Sequence, residues 1–472
     1  MELGTSARDA SSDSEFPERK DDTANGNMTS GLMAFRVREN VTRSQRMFML
    51  AVWMGIAAIV YREAVGNDTL VFIGSYNLTT AEIVLVSALG ALAFNFGAVL
   101  RGLRVRNIPE IILVVILTAN LLRGLTLNPM AAIVSVRGTG PLAVYLLLTI
   151  AITRAPRIAE RTQAAILIGA TLVALLCLVR HFTGLLMTDF VRTDGRMIGM
   201  WGALLVAIGC TLLLSGLMRG TLRRYGLFML LLLLVSLILT AQGTGIVCGM
   251  VGMAIVFAFE KGLTRSIRMT LFFALLLLLG IVIVAFPNIS SLQGLATVLP
   301  DGISQFVLDR DHTSNTRKLI WQGVMQSYEN WPLENKLFGF PSGSIPFIVT
   351  QEWGGVVWEN SVHSMYFQTL IIQGVIGVVA YVAVLLLALG AALLKALALK
   401  RRTDAQPVIS FPAALALVIN IVLFGYSYDF RGELSPLLML GLGAAWTSTR
   451  EQRSLPQPVI SHSTQTDTLH AR

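Results

Sequence analysis

Twelve stretches of this chain are apolar over roughly the 20 residues that a helix needs to cross a bilayer, and that repetition constrains its fold more than any other feature. They lie at about 46–62, 82–100, 109–127, 138–153, 163–181, 196–217, 226–241, 243–260, 267–287, 372–395, 408–426 and 433–448. With 54% of its 472 residues hydrophobic and 14% charged, the chain is too apolar for a soluble globule. The pattern predicts an all-α polytopic membrane protein of about 12 transmembrane helices. Ahead of the first run stands a polar tail rich in Ser, Asp, Glu, Lys and Arg with no small-residue cleavage site, so no secretory signal is expected. Residues 1–45 are predicted to be a disordered cytoplasmic tail and residues 449–472 a second cytoplasmic tail.

The basic residues orient the bundle. Alternate connections carry Arg101, Arg104 and Arg106; Arg154, Arg157 and Arg161; Arg219, Arg223 and Arg224; Lys261, Arg265 and Arg268; and Lys395, Lys400, Arg401 and Arg402. The tail before the first helix adds Arg36, Arg38, Arg43 and Arg46, and the intervening connections are poorer in cations. By the positive-inside rule both termini are cytoplasmic. Transmembrane helices 1–9 then occupy 46–287, a large periplasmic loop 288–362, and helices 10–12 residues 363–448.

That loop is too long for a simple connector. Within it "TSNTRKLIWQGVMQSYENW" offers an N-cap at Ser314 or Asn315, then apolar Ile320, Val324 and Tyr328 at helical spacing, with Trp321 and Met325 beside them. We expect an amphipathic helix on the outer membrane face, followed by the turn "LFGFPSGS".

Three polar residues fall at one membrane level: Arg196 in "TDGRMIGMWG", Arg317 in the loop helix, and His363 at the mouth of the tenth run. Each has a plain alternative. Arg196 can snorkel to the interface, Arg317 can be a solvated loop charge, and His363 can be an interfacial imidazole with a satisfied hydrogen bond. Together they suit one chemistry. Two guanidiniums can grip a diphosphate through forked hydrogen bonds, and a neutral imidazole can take a proton from a sugar hydroxyl. Trp321, four residues after Arg317, shares its helix face and can pack on a sugar ring or anchor at the interface. Arg123 and Arg137 flank "RGLTLNPMAAIVSVRGTGP", expected to be a short broken outer region, where they either line a lipid-diphosphate groove or sit at the interface.

Other chemistries find no support. Cys177, Cys210 and Cys248 all sit inside apolar runs without ligand spacing, which predicts packing roles. Asp301, Arg310, Asp311, His312 and Glu352 have no metal-ligand spacing, so no metal is expected, and no cofactor. No phosphate-binding or dinucleotide glycine motif occurs. The net charge of +9 is distributed as a topology signal, so no nucleic acid partner is expected.

The chain resembles the O-antigen ligase and polymerase superfamily. The resemblance is carried by Arg196 with Gly199 at a helix opening, "TRKLIW" from Thr316 to Trp321, the "FGFPSG" turn, and "HSMYFQTLIIQGVIG" from His363 to Gly377. It implies a metal-independent, inverting glycosyltransferase of the bacterial inner membrane, with its active site facing the periplasm. Carried over by position, Arg196 and Arg317 bind the undecaprenyl diphosphate of a lipid-linked glycan donor, and His363 activates the acceptor hydroxyl. Trp321, Tyr366 and Arg310 are candidates for glycan contact or loop support. Implied partners are the lipid-linked donor and acceptor, membrane lipids, and a chain-length regulator and flippase of the same pathway. The chain departs from the family pattern at "TAQGTG", where many members carry a Ser-Arg pair, and in lacking the Pro-Asn that often follows the Arg196-like motif; both bear on subfamily rather than reaction class.

The leading expectation is a polymerase of lipid-linked repeat units. A ligase passing polymer to lipid A core and a protein-glycosylating transferase are near alternatives, and a twelve-helix transporter or flippase is the alternative from another class. Transporters usually show related halves and midplane sites on broken helices, whereas this chain has no evident repeat and holds its conspicuous polar residues at one face.

Overall fold

The computed structural model describes residues 42–66, 69–73, 76–152, 156–187, 197–220, 225–240, 242–260, 317, 319–344, 348–350, 355–357, 362–399, 409–428 and 432–446. Among these, seven helices are long and apolar enough to cross a membrane, and four further apolar helices are shorter. In chain order the elements are α1 (Arg43–Val65), a hairpin of β1 (Thr69–Ile73) and β2 (Tyr76–Thr79), α2 (Thr80–Gly102), α3 (Ile108–Leu127), α4 (Pro129–Ile152), α5 (Pro156–Thr183), α6 (Met200–Met218), α7 (Tyr225–Leu239) and α8 (Gly243–Phe259). After them come α9 (319–329) and α10 (Leu333–Phe338), a small antiparallel pair β3 (Ile348–Thr350) and β4 (Gly355–Val357), α11 (Met365–Leu399), α12 (Phe411–Ser427) and α13 (Ser435–Trp446).

Eleven of the twelve apolar runs hold one of these helices; the run at 267–287 lies outside the described residues. Local chemistry sets several boundaries. Thr42 caps α1 by accepting from the Gln45 amide, and the chain leaves that helix through Gly66 at φ 77°. Ser410 caps α12 by accepting from the amide of Ala413.

Two expectations are corrected. The region after Arg123 is not broken: α3 and α4 are separated by Asn128 alone, so α4 begins nine residues earlier than its apolar run at 138, with Pro129 at its first position. An amide N–H at that position would lack an intrahelical partner in any case, so proline removes nothing there. The loop helix α9 does not present its apolar side to lipid. Ile320 and Val324 are buried in a cluster with Trp331, Val362 and Ile371, so that side packs on the chain's own α11.

The centre of the bundle is α6. It is apolar all round and buried along nearly its full length, with α5, α7, α8 and α12 packed about it. Its two ends are polar. At one, Ser410 Oγ and Ser215 Oγ donate to Glu260 Oε2 at 2.6 and 3.3 Å, joining α6, α8 and α12. The opposite end gathers the last turns of α1, α3, α5 and α12 with the first turns of α6 and α11, and it holds the candidate site. Cys177, Cys210 and Cys248 are buried free thiols.

Candidate functional site

His363 stands one residue before Ser364, whose carbonyl begins the hydrogen-bonding of α11 by accepting from Gln368. Its φ is 49°, a left-handed conformation uncommon for any residue with a side chain, and it is half-buried. Such strain persists only where the surroundings enforce it. On one side, Val362 accepts a 2.9 Å hydrogen bond from Trp321 Nε1. On the other, the amide of Met365 donates to the Tyr428 carbonyl at 3.1 Å. The His363 turn is thus held between the loop helix α9 and the end of α12.

Aromatic contacts stiffen the same frame. Trp321 stacks on Phe367 with ring centroids 5.5 Å apart and meets the edge of Tyr426 at 5.3 Å. The Arg317 guanidinium lies over the Tyr428 ring, 4.6 Å from its centroid. Arg317 and Trp321 therefore share one assembly with His363, more than 40 residues further along the chain. Trp321 is committed to it: its indole N–H and both its described ring neighbours are protein groups. Tyr366 donates to the Val422 carbonyl at 3.3 Å and meets the ring of Tyr381, a packing role on α11.

The glycine turn is clamped beside this frame. α11 is interrupted at Gly374, which has φ 65° and ψ −169°, so a short leg, Met365 to Gln373, precedes the long span. The turn "FGFPSG" packs into the break: Phe340 donates to Ile371 O at 2.9 Å. Asn120 on α3 ties both strands of this contact, its Nδ2 lying 2.6 Å from Phe338 O and 2.7 Å from Ile372 O. Arg123, one turn on, donates to Asn120 Oδ1 at 2.9 Å and pairs with Glu334 at 2.7 Å. Arg137 pairs with Glu82 on α2. Both arginines considered for a lipid-diphosphate groove are thus paired with carboxylates of the chain.

A third feature went unrecognised in the sequence. Glu63, near the end of α1 and buried, accepts from the amides of Gly199 and Gly202 at 2.6 and 3.0 Å, capping α6 from another helix. Arg180 at the end of α5 is 1% exposed and donates to four carbonyls: Leu186 at 2.8 Å, Met197 at 2.9 Å, Glu63 at 2.6 Å and Ala64 at 3.2 Å. Arg62 lies over the buried Trp201 ring, 3.6 Å from its centroid. The carbonyl of Met197 and the amide of Gly199, immediately after Arg196, are held by this pair. The signal was a charge at the end of each apolar run, "YREAVG" and "CLVRHF".

Arg196 itself and Arg310 lie outside the described residues, as do Asp301, Asp311, His312 and Glu352, and the N-cap candidates Ser314 and Asn315. Among the described residues no three His, Cys, Asp or Glu side chains come together as a metal site. Residues 227–382 match a protein family described as O-antigen ligase. The matched segment runs from α7 through the His363 turn and into the long span of α11. No curated protein matches the chain.

Proposed function

We propose that this chain, a member of the O-antigen ligase and polymerase superfamily, joins undecaprenyl-diphosphate-linked oligosaccharide repeat units into a surface or secreted polysaccharide on the periplasmic face of the inner membrane. An O-antigen ligase or polymerase type of membrane enzyme follows from the family match and the apolar helices. The polymerase, its lipid-linked donor and the roles of individual residues are our inference.

One observation carries the reading: the frame in which Trp321 binds the carbonyl before His363 while Tyr428 supports Arg317 and binds the amide two residues after His363. A cation suited to diphosphate and an imidazole suited to proton transfer are thereby tied to the same turn. In the proposed reaction His363 accepts the proton of the acceptor hydroxyl as its oxygen attacks the donor's anomeric carbon. The bond from that carbon to the diphosphate oxygen breaks, and the electron pair leaves with the polyprenyl diphosphate. Arg317, with Arg196, grips the diphosphate of the bound donor and keeps hold of it as the leaving group. A single displacement of this kind inverts the anomeric centre. No step calls on a metal or a cofactor.

The test is complementation of a deletion strain with His363→Ala at wild-type membrane abundance. We expect single lipid-linked repeats to accumulate and polymer to disappear. Long polymer left unattached in the deletion strain would identify a ligase instead, and normal polymer from His363→Ala would remove the imidazole from the mechanism.

A further inference from the structure

Tyr428 lies beyond the segment that matches the family, at the end of α12, yet it touches both halves of the proposed site. It is 7% exposed, its ring lies under Arg317, and its carbonyl accepts from Met365. The ring is itself backed by Phe424, with centroids 5.1 Å apart, and the Tyr428 amide is fixed by Phe424 O at 2.9 Å. This aromatic plane is therefore rigid from below.

A guanidinium is flat, and its two kinds of contact use different directions. The face stacks on an aromatic ring, while the N–H bonds radiate in the plane. A residue that holds the face leaves the edge for a forked anion. Arg317 suits this: its guanidinium carbon lies over the Tyr428 ring, and its buried Nε has no hydrogen-bond partner among the described residues. A buried in-plane donor calls for an acceptor, and a diphosphate oxygen supplies one.

We propose that Tyr428 is a positioning residue for the transfer, its ring holding the Arg317 guanidinium flat so that the in-plane N–H groups face the donor diphosphate at the His363 turn. This rests on the function proposed above. The ring face carries the cation, so phenylalanine preserves the effect and an aliphatic side chain of similar bulk does not. Tyr426, two residues earlier, supports Trp321 from the same helix end, so the end of α12 acts as a platform for the loop helix.

The experiment uses purified full-length protein in nanodiscs with a polyprenyl-diphosphate-linked repeat unit. Tyr428→Leu should raise the donor KM about fivefold with little change in kcat, and Tyr428→Phe should restore it; a cation–π contact of ordinary strength corresponds to a change of that order. In an Arg317→Ala background the Leu substitution should add nothing. Equal KM values for the Leu and Phe variants, or an undiminished Leu effect without Arg317, would overturn the proposal. Tyr428→Met gives the same comparison if the Leu variant does not accumulate. A second readout needs no turnover: modification of Arg317 by phenylglyoxal, followed by peptide mass spectrometry, should accelerate in Tyr428→Leu and not in Tyr428→Phe. An unchanged rate would overturn the positioning role whatever the activity. An inactive wild-type protein whose Arg317 still responds to Tyr428→Leu would instead overturn the function proposed above and, with it, the role of Tyr428 in transfer.

Discussion

Gly374 has a backbone conformation that only glycine adopts readily, and no space for anything larger. A Cβ placed there would lie 2.3 Å from the carbonyl carbon of Leu337, and one on Gly339 would lie 2.3 Å from that of Ile372. The two glycines let the backbones of the turn and of the α11 break touch. Three residues later, Gly377 makes room for the Gln373 side chain, whose Cβ would be 2.1 Å from a Cβ at that position. Gly374→Ala should therefore destabilise the protein by more than the 1–3 kcal/mol or so of a strained backbone alone, because the steric overlap adds to it. Thermal unfolding in detergent should show a lowered midpoint for this variant, and a midpoint equal to wild type would mean that the break relaxes at no cost. The paired glycines were visible in the sequence as part of "QGVIG", but their partner was not: nothing local announces that the other surface is a turn more than 30 residues upstream.

At the scale of elements, α3 acts as the bracket for the loop. Asn120 is 1% exposed, and its amide nitrogen reaches the turn and α11 at once. Asn120→Ala should cost about 1–3 kcal/mol, since two partly buried carbonyls lose the donor they share. Hydrogen exchange offers the sharper check: the Phe340 amide, bonded to Ile371, should exchange faster in the variant, and unchanged protection would show that the turn holds without α3. Hydrophobic length and periodicity revealed the apolar helices and α9, because those properties are local. The side to which α9 turns its apolar residues was not legible, since lipid and a neighbouring helix look alike to an amphipathic sequence. Arg317, Trp321 and His363 could be singled out by type and position, and the structure joins them. Glu63, Arg180 and Tyr428 escaped notice because each acts through a backbone group or a ring supplied by a distant segment. Asn120 escaped for the same reason, a polar residue in an apolar run whose acceptors come from elsewhere.

At the scale of the whole molecule, the arginine distribution and the helix contacts can be tested together. The positive-inside assignment places Asn128, between α3 and α4, outside, and Leu103, between α2 and α3, inside. Both are exposed, and the three native thiols are buried, so an introduced cysteine reports without background. Asn128→Cys should react with an impermeant maleimide in cells whose outer membrane has been opened, and Leu103→Cys only after lysis. The reverse pattern would turn the His363 end of the bundle toward the cytoplasm. The central position of α6 has a further consequence, for biogenesis. Met218 leaves the ribosome long before Phe411, so the helix that completes the burial of α6 does not yet exist when α6 enters the membrane. Until α12 arrives, lipid must stand in for it. A helix with no charged residue can wait there, and Thr211 keeps its hydroxyl satisfied meanwhile by donating to Ala207 O of the same helix at 3.0 Å.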